Sequence, residues 1–159
     1  MSEAKYDVLA IGNAIFDVLV RTDEKFLSRH GMTKGGMALI DETRAASIYR
    51  DMGPATEMSG GSAANTIVGI ANLGARAAYV GKVKDDQIGR LYTHDIRAAG
   101  VAFETKAASD GPATGCSYIL VTDDGERTMN TYLGAAQQGS RSRPGRRRTV
   151  PPPAAPTFW

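Results

Sequence analysis

The chain is poor in the residues that would give it sulfur or imidazole chemistry. It has one cysteine, Cys116, and two histidines, His30 and His94, among 159 residues. A lone cysteine excludes an intramolecular disulfide framework and fits a reducing compartment. His30 falls in a polar stretch and His94 in a helical one, and neither has the spacing to a second donor that a metal site needs. No apolar run approaches the ~20 residues required to cross a bilayer. Met1 is followed by Ser-Glu-Ala-Lys-Tyr-Asp, too polar for a signal peptide. A cytoplasmic protein without membrane partners is the expectation.

Acid is missing from one place. No Asp or Glu occurs from position 139 to 159, where five arginines fall between 141 and 148. Setting those five aside leaves 14 basic against 17 acidic residues, so the formal net charge of +2 becomes −3 over the remainder. The basic character therefore belongs to the tail. Five arginines would attract nucleic acid in a salt-dependent way. The tail lacks interleaved aromatics, however, and the rest of the chain is acidic, so nucleic-acid binding is a secondary reading. Residues 138–159 have no apolar periodicity and read as disordered or polyproline-like. Their composition resembles translation of a GC-rich gene in a shifted frame.

What is present is enough apolar material for one core: 42% hydrophobic against 23% charged residues. Residues 6–12 form a near-continuous apolar run ending in glycine, the pattern of a strand covered on both faces. Short strands are expected at 18–20 and 37–40, a helix over 42–52, and a break at Gly53-Pro54. A second helix spans about 62–73, with Ala63, Ala64, Ile67, Val68 and Ala71 on one face and Gly74 beyond its end. A strand at 77–83 follows, then a helix from an Asp86 cap to Ala99 with Ile88, Leu91, Tyr92, Ile96 and Ala99 on one side. Strands are expected at 103–106, 114–122 and 126–132, the last two joined by the Asp123-Asp124-Gly125 turn. Alternating strands and helices indicate an α/β layer with a mostly parallel sheet. The pieces at 18–40 and 101–132 do not fit that alternation and suggest a small antiparallel sheet set apart.

Two segments carry the chemistry. Gly60-Gly61 lets the backbone come close to a ligand, and Ser62 and Asn65 follow with hydrogen-bonding side chains at a helix N-terminus, where N–H groups point outward. A plain turn with Ser62 as N-cap would use the same residues. Asn13 and Asp17 follow the first strand, beyond the carboxyl end where ligands of open α/β sheets sit. An amide beside a carboxylate suits vicinal hydroxyls, which both donate and accept; an Asx-turn would account for Asn13 alone.

Gly12-Asn13 with Asp17, the Gly60-Gly61-Ser62-Ala63-Ala64-Asn65 segment, and the run from Val80-Gly81-Lys82 through Asp85-Asp86 to Gly89 resemble the amino-terminal half of a ribokinase-like (PfkB-type) carbohydrate kinase. Met37-Ala38-Leu39-Ile40-Asp41 and the Gly125-Glu126-Arg127 hairpin resemble the adenosine-kinase-like branch. The resemblance covers about residues 5–137 in order. It implies that residues 1–137 are the amino-terminal part of a ribokinase-like three-layer α/β/α sheet with a small antiparallel β lid, the lid pieces at about 18–40 and 101–132. It also implies transfer of a phosphoryl group from ATP, with Mg²⁺, to a hydroxymethyl group of a sugar or nucleoside. On this resemblance Asn13, Asp17, Gly60, Gly61, Ser62 and Asn65 hold the sugar, and a closing lid excludes water. Arg127 either contacts the ligand from the lid or pairs within its hairpin.

One departure matters. Family members carry a Gly-Ala-Gly-Asp stretch whose glycines form an anion hole and whose aspartate is the base, and phosphoryl transfer needs both functions. The 159 residues contain no such stretch; Gly134-Ala135-Ala136 is not followed by aspartate. The chain is therefore expected to hold the substrate half-site, to lack the ATP half-site, and to be inactive alone. A catalytically silent sugar- or nucleoside-binding protein is the alternative. A sheet cut after its first strands should also expose apolar surface and self-associate through the sheet edge or the lid. Cys116 is expected to be a core residue and Phe16 either a stacking or a packing aromatic.

Overall fold

A computed structural model describes residues 4–139; the tail reading for 140–159 lies outside the described residues. The chain runs β1 (Val8–Ile11), β2 (Ile15–Arg21), α1 (Glu24–Arg29), β3 (Met37–Leu39), α2 (Glu42–Asp51), β4 (Thr56–Gly60) and α3 (Ser62–Asn72). It continues through β5 (Ala77–Val80), α4 (Gln87–Ala98), β6 (Ala102–Phe103), β7 (Gly115–Val121), β8 (Arg127–Tyr132) and the short α5 (Ala136–Gly139).

Two sheets result. The first is parallel, in the order β1-β5-β6, with Ala10 opposite Tyr79 and Tyr79 opposite Phe103. Helices α3 and α4 lie on the face that carries Tyr79: its ring stacks on Phe103 at 5.9 Å, and Tyr92 of α4 meets Phe103 edge-on at 5.8 Å. Aromatic pairs in these arrangements add to the area they bury. Period-two alternation puts Leu9, Ile11 and Val80 on the opposite face. That face carries no helix among the described residues, and Leu9 and Ile11 are 57% and 70% exposed. The expectation of a first strand buried on both faces is thus not met among the described residues, while the α/β arrangement of parallel sheet and helices is the one expected.

The second sheet has five strands in the order β3-β8-β7-β2-β4. It is mixed rather than antiparallel, because β2 runs parallel to β7 and β3 parallel to β8, while β2·β4 and β7·β8 are antiparallel. It is also larger than the two expected pieces. It begins at Ile15 and includes β4, whereas residues 102–103 belong to the parallel sheet. Strand β4 reads Thr-Glu-Met-Ser-Gly and is mostly exposed at the sheet edge, so it lacks the alternation that marks a half-buried strand. Phe16, Val18, Tyr118 and Leu120 on one face join Phe26, Leu27 and Ile48 in the core; Phe16 is therefore a packing aromatic. Asp17, Leu19, Ser117 and Thr131 line the other face, where the Ser117 and Thr131 hydroxyls lie 2.9 Å apart.

Caps set the helix starts. Asp41 accepts from Arg44 N at 2.7 Å and Asp86 from Gly89 N at 2.7 Å, each satisfying an N–H without a partner in the first turn. Asp86 does more: it also accepts from the backbone N–H and the hydroxyl of Thr114, at 2.9 and 2.7 Å. Helix α1, capped by Asp23, spans only six residues, too few to show a periodic face. His30 at its end is buried and stacked on Phe26, with centroids 4.5 Å apart, rather than lying at the surface. Cys116 is a buried core residue whose thiol is pushed up to about 12 by burial.

Candidate functional site

Gly12, Asn13 and Ala14 connect β1 in one sheet to β2 in the other. The antiparallel pairing of β2 with β4 puts Ile15 opposite Gly60 and Asp17 opposite Met58. Two sequence-distant segments, 12–17 and 60–65, thereby meet where the sheets adjoin.

Glycine is demanded at this meeting. A side chain on Gly60 would overlap the Asp17 carboxylate. Gly61 has φ +95°, the left-handed side of backbone space, and a Cβ there would lie 2.6 Å from the Asn13 carbonyl oxygen. A Cβ on Gly12 would stand 2.7 Å from that of Ala63. Gly61 thus excludes a larger residue through its backbone, and a side chain on Gly60 would displace the Asp17 carboxylate.

Asp17 is half-buried, and no protein donor reaches its carboxylate among the described residues. Burial alone raises its pKa from 3.8 to about 6, because loss of hydration penalises the charged form. Asn13, Ser62 and Asn65 are exposed, and none has a side-chain hydrogen bond within the described residues. Helix α3 opens with Gly61 in the N-cap position and no side-chain cap, so Ser62 is the first helical residue and not the cap. The Gly61 carbonyl accepts from Asn65 N at 2.9 Å, closing the first turn. The structure thus brings together a carboxylate, two amides, a hydroxyl and an uncapped helix start. Such a set can accept and donate to several hydroxyls at once.

Arg127 stands apart. It opens β8 opposite Val121, itself opposite Arg21, whereas Thr131 pairs with Ser117, the neighbour of Asp17. Four residues of strand separate the two positions, about 13 Å at ~3.3 Å per residue.

Two further residues hold the site from behind: Tyr92, which shows in the sequence only as part of a helical apolar stripe, and Asp95, which carries no signal of its own. The fully buried Tyr92 donates its hydroxyl to the Gly60 carbonyl at 3.3 Å, and the Asp95 carboxylate accepts from Ser59 N at 3.3 Å. Burial pushes the Tyr92 pKa well above the phenol range, so this hydroxyl stays a donor. No three His, Cys, Asp or Glu side chains gather in a metal-binding group among the described residues, and no described helix is long and apolar enough to cross a membrane.

Comparison with known proteins places this arrangement. Residues 47–143 match the model of the pfkB family of carbohydrate kinases. The adenosine kinase from Sinorhizobium meliloti superposes with a TM-score of 0.79 at 60% identity, over 84% of this chain and 41% of that one. An ATP-dependent ribose-1-phosphate kinase from Halopiger xanaduensis is 40% identical over 119 residues, 75% of this chain and 34% of that protein. A probable fructokinase-4 from Arabidopsis thaliana is 36% identical over 73 residues, 46% of this chain and 22% of that protein. The chain thus spans from about a fifth to about two fifths of the proteins it matches.

Proposed function

The chain belongs to the pfkB family of carbohydrate kinases, and on that premise we propose that residues 12–17 and 60–65 form the hydroxyl-binding wall of a sugar or nucleoside site. The reaction served is ATP-dependent phosphorylation of a hydroxymethyl group. The observation that carries this reading is the Asp17 carboxylate, half-buried against Gly60 without a protein donor and flanked by exposed Asn13 and Asn65. A buried carboxylate is costly unless something donates to it, and vicinal hydroxyls would supply those donors. Residues 1–137 form the amino-terminal part of the kinase domain, and Gly60, Gly61 and Ser62 complete the wall. Adenosine is the first ligand to test, since the adenosine kinase from Sinorhizobium meliloti shares 60% identity. Ribose and fructose follow, because a ribose-1-phosphate kinase and a fructokinase are among the relatives.

The residues present do not fit an ATP–Mg²⁺ site. Gly134-Ala135-Ala136 carries the sequence nearest to the expected anion hole, yet a Cβ on Gly134 would overlap the Ala113 carbonyl oxygen, and Ala135 and Ala136 behind it are buried. A carbonyl oxygen at that spot repels an anion. These 159 residues therefore bind the acceptor and do not transfer the phosphoryl group alone. Calorimetric titration with adenosine, ribose and fructose checks the first half, with Asp17→Asn as the control. Failure of all three to bind overturns it. Transfer of label from γ-labelled ATP above the Asp17→Asn background overturns the second.

A further inference from the structure

A groove of about 840 Å³ lies between α4 and the segment that follows β6. Lys84, Arg90, Arg97 and Lys106 line it together with two carboxylates, Asp85 and Glu104. Both carboxylates are already engaged. Asp85 pairs with Arg90 at 3.1 Å, and Glu104 pairs with Lys5 at 3.2 Å. The other cations have no such match. Lys84 Nζ donates to the Gly111 carbonyl at 2.8 Å, and Arg97 donates from Nε and Nη2 to the Phe103 carbonyl at 3.0 and 2.7 Å. A carbonyl satisfies a donor without cancelling its charge, and each side chain keeps further N–H groups. Among the described residues no carboxylate lies within 4.0 Å of Lys84, Arg97 or Lys106. Three positive charges without a direct ion pair therefore share one concave surface, with the field of Glu104 reaching Arg97 alone among them.

The groove is separate from the Asp17 site. At 100° per residue, Arg90, Thr93 and Arg97 fall on the side of α4 opposite Tyr92 and Asp95, the two residues that hold Gly60 and Ser59. A helix about 10 Å across stands between the two. An anion in the groove cannot be the group passed to a hydroxyl at Asp17.

We propose that this groove binds a phosphate-bearing small molecule through Lys84, Arg97 and Lys106. Its volume accommodates a ligand of nucleotide size, and phosphate oxygens accept from both ammonium and guanidinium groups with charge-assisted bonds. The test uses tripolyphosphate as probe, titrated calorimetrically into the 159-residue chain at low salt. Lys106→Glu is the informative variant, because this exposed side chain makes no hydrogen bond of its own and its loss leaves the fold intact, as a melting curve checks. Lys25→Glu, an exposed position on α1, makes the same charge change elsewhere. Lys106→Glu should weaken binding about tenfold and Lys25→Glu much less, with amide shifts centred on residues 84–107. Three results overturn the proposal: no heat at millimolar tripolyphosphate, equal weakening in both variants, or undiminished binding in Lys106→Glu, which would place the anion on another basic stretch.

Discussion

Replacing Asp17 by Asn should make the protein more stable at neutral pH while abolishing acceptor binding. The native carboxyl titrates at about 6 against an ordinary 3.8. Between those values the folded chain holds a proton that the unfolded chain has released, so stability falls as pH rises through the window and levels off above it. A shift of about two units at 1.36 kcal/mol per unit sets a ceiling of about 3 kcal/mol. Because Asp17 keeps part of its surface in water, screening reduces this to about 1–2 kcal/mol. The amide has the same shape and no charge to desolvate, so its stability carries no such pH dependence. Urea unfolding followed by far-UV circular dichroism should show Asp17→Asn ahead by about 1–2 kcal/mol near pH 7.5 and level with the wild type near pH 4. Taking the difference between the two proteins cancels the titration of every other group. An Asn variant less stable at neutral pH, or a gap unchanged between the two pH values, would refute the reasoning. A confirmed gain would mean that the site is maintained against stability for the sake of binding.

Other expectations follow from the same geometry. Asp86→Ala should cost about 3 kcal/mol, since it removes a cap and strands the buried Thr114 donors, whereas the simple cap Asp41→Ala should cost about 1 kcal/mol; comparative urea titrations check the ratio. Gly61→Ala should destabilise by about 2–3 kcal/mol through its positive φ and the approach to the Asn13 carbonyl. Gly69→Ala, with open space around it inside α3, should instead gain up to about 1 kcal/mol. Cys116 should resist alkylation in the native state at pH 8 and react once urea unfolds the chain, because its thiol is held at about 12. The uncovered face bearing Leu9 and Ile11 should produce concentration-dependent association in sedimentation velocity, and Ile11→Lys should reduce it.

Much of this architecture is legible in the sequence where local chemistry decides it. The start of α4 follows from Asp86, the end of α2 from Gly53-Pro54 and the end of α3 from Gly74, because caps, breakers and periodicity act within a turn or two. The two site segments are also visible, since glycine pairs and strand-end amides are local signals. Their union is not. Asp17 reaches Gly60 only through β2·β4 pairing, and β4 is an edge strand with no alternation to betray it. The same limit hides Tyr92, whose stripe position says core, and Asp95, which is not one of the stripe's apolar residues, while their polar atoms serve Gly60 and Ser59. Arg127 shows what register adds. A hairpin charge near a ligand-binding sheet is a fair candidate until strand register puts it at the far end.

Two of the covalent crossings between the sheets' layers meet at the site: residues 12–14 between β1 and β2, and Gly61 between β4 and α3. They touch, since a Cβ on Gly61 would press on Asn13 and one on Gly12 on Ala63. Any swing of the five-stranded sheet over the parallel one would bend this crossed pair of backbone joints, along with the third link, residues 104–114, which Thr114 ties to Asp86. The grip and the axle are then one object. A molecule seated on Asn13, Asp17 and Asn65 would stiffen the axle by occupying it, and a substitution that loosens the axle would spoil the grip even where it touches no ligand. Affinity and articulation in this protein cannot be tuned independently.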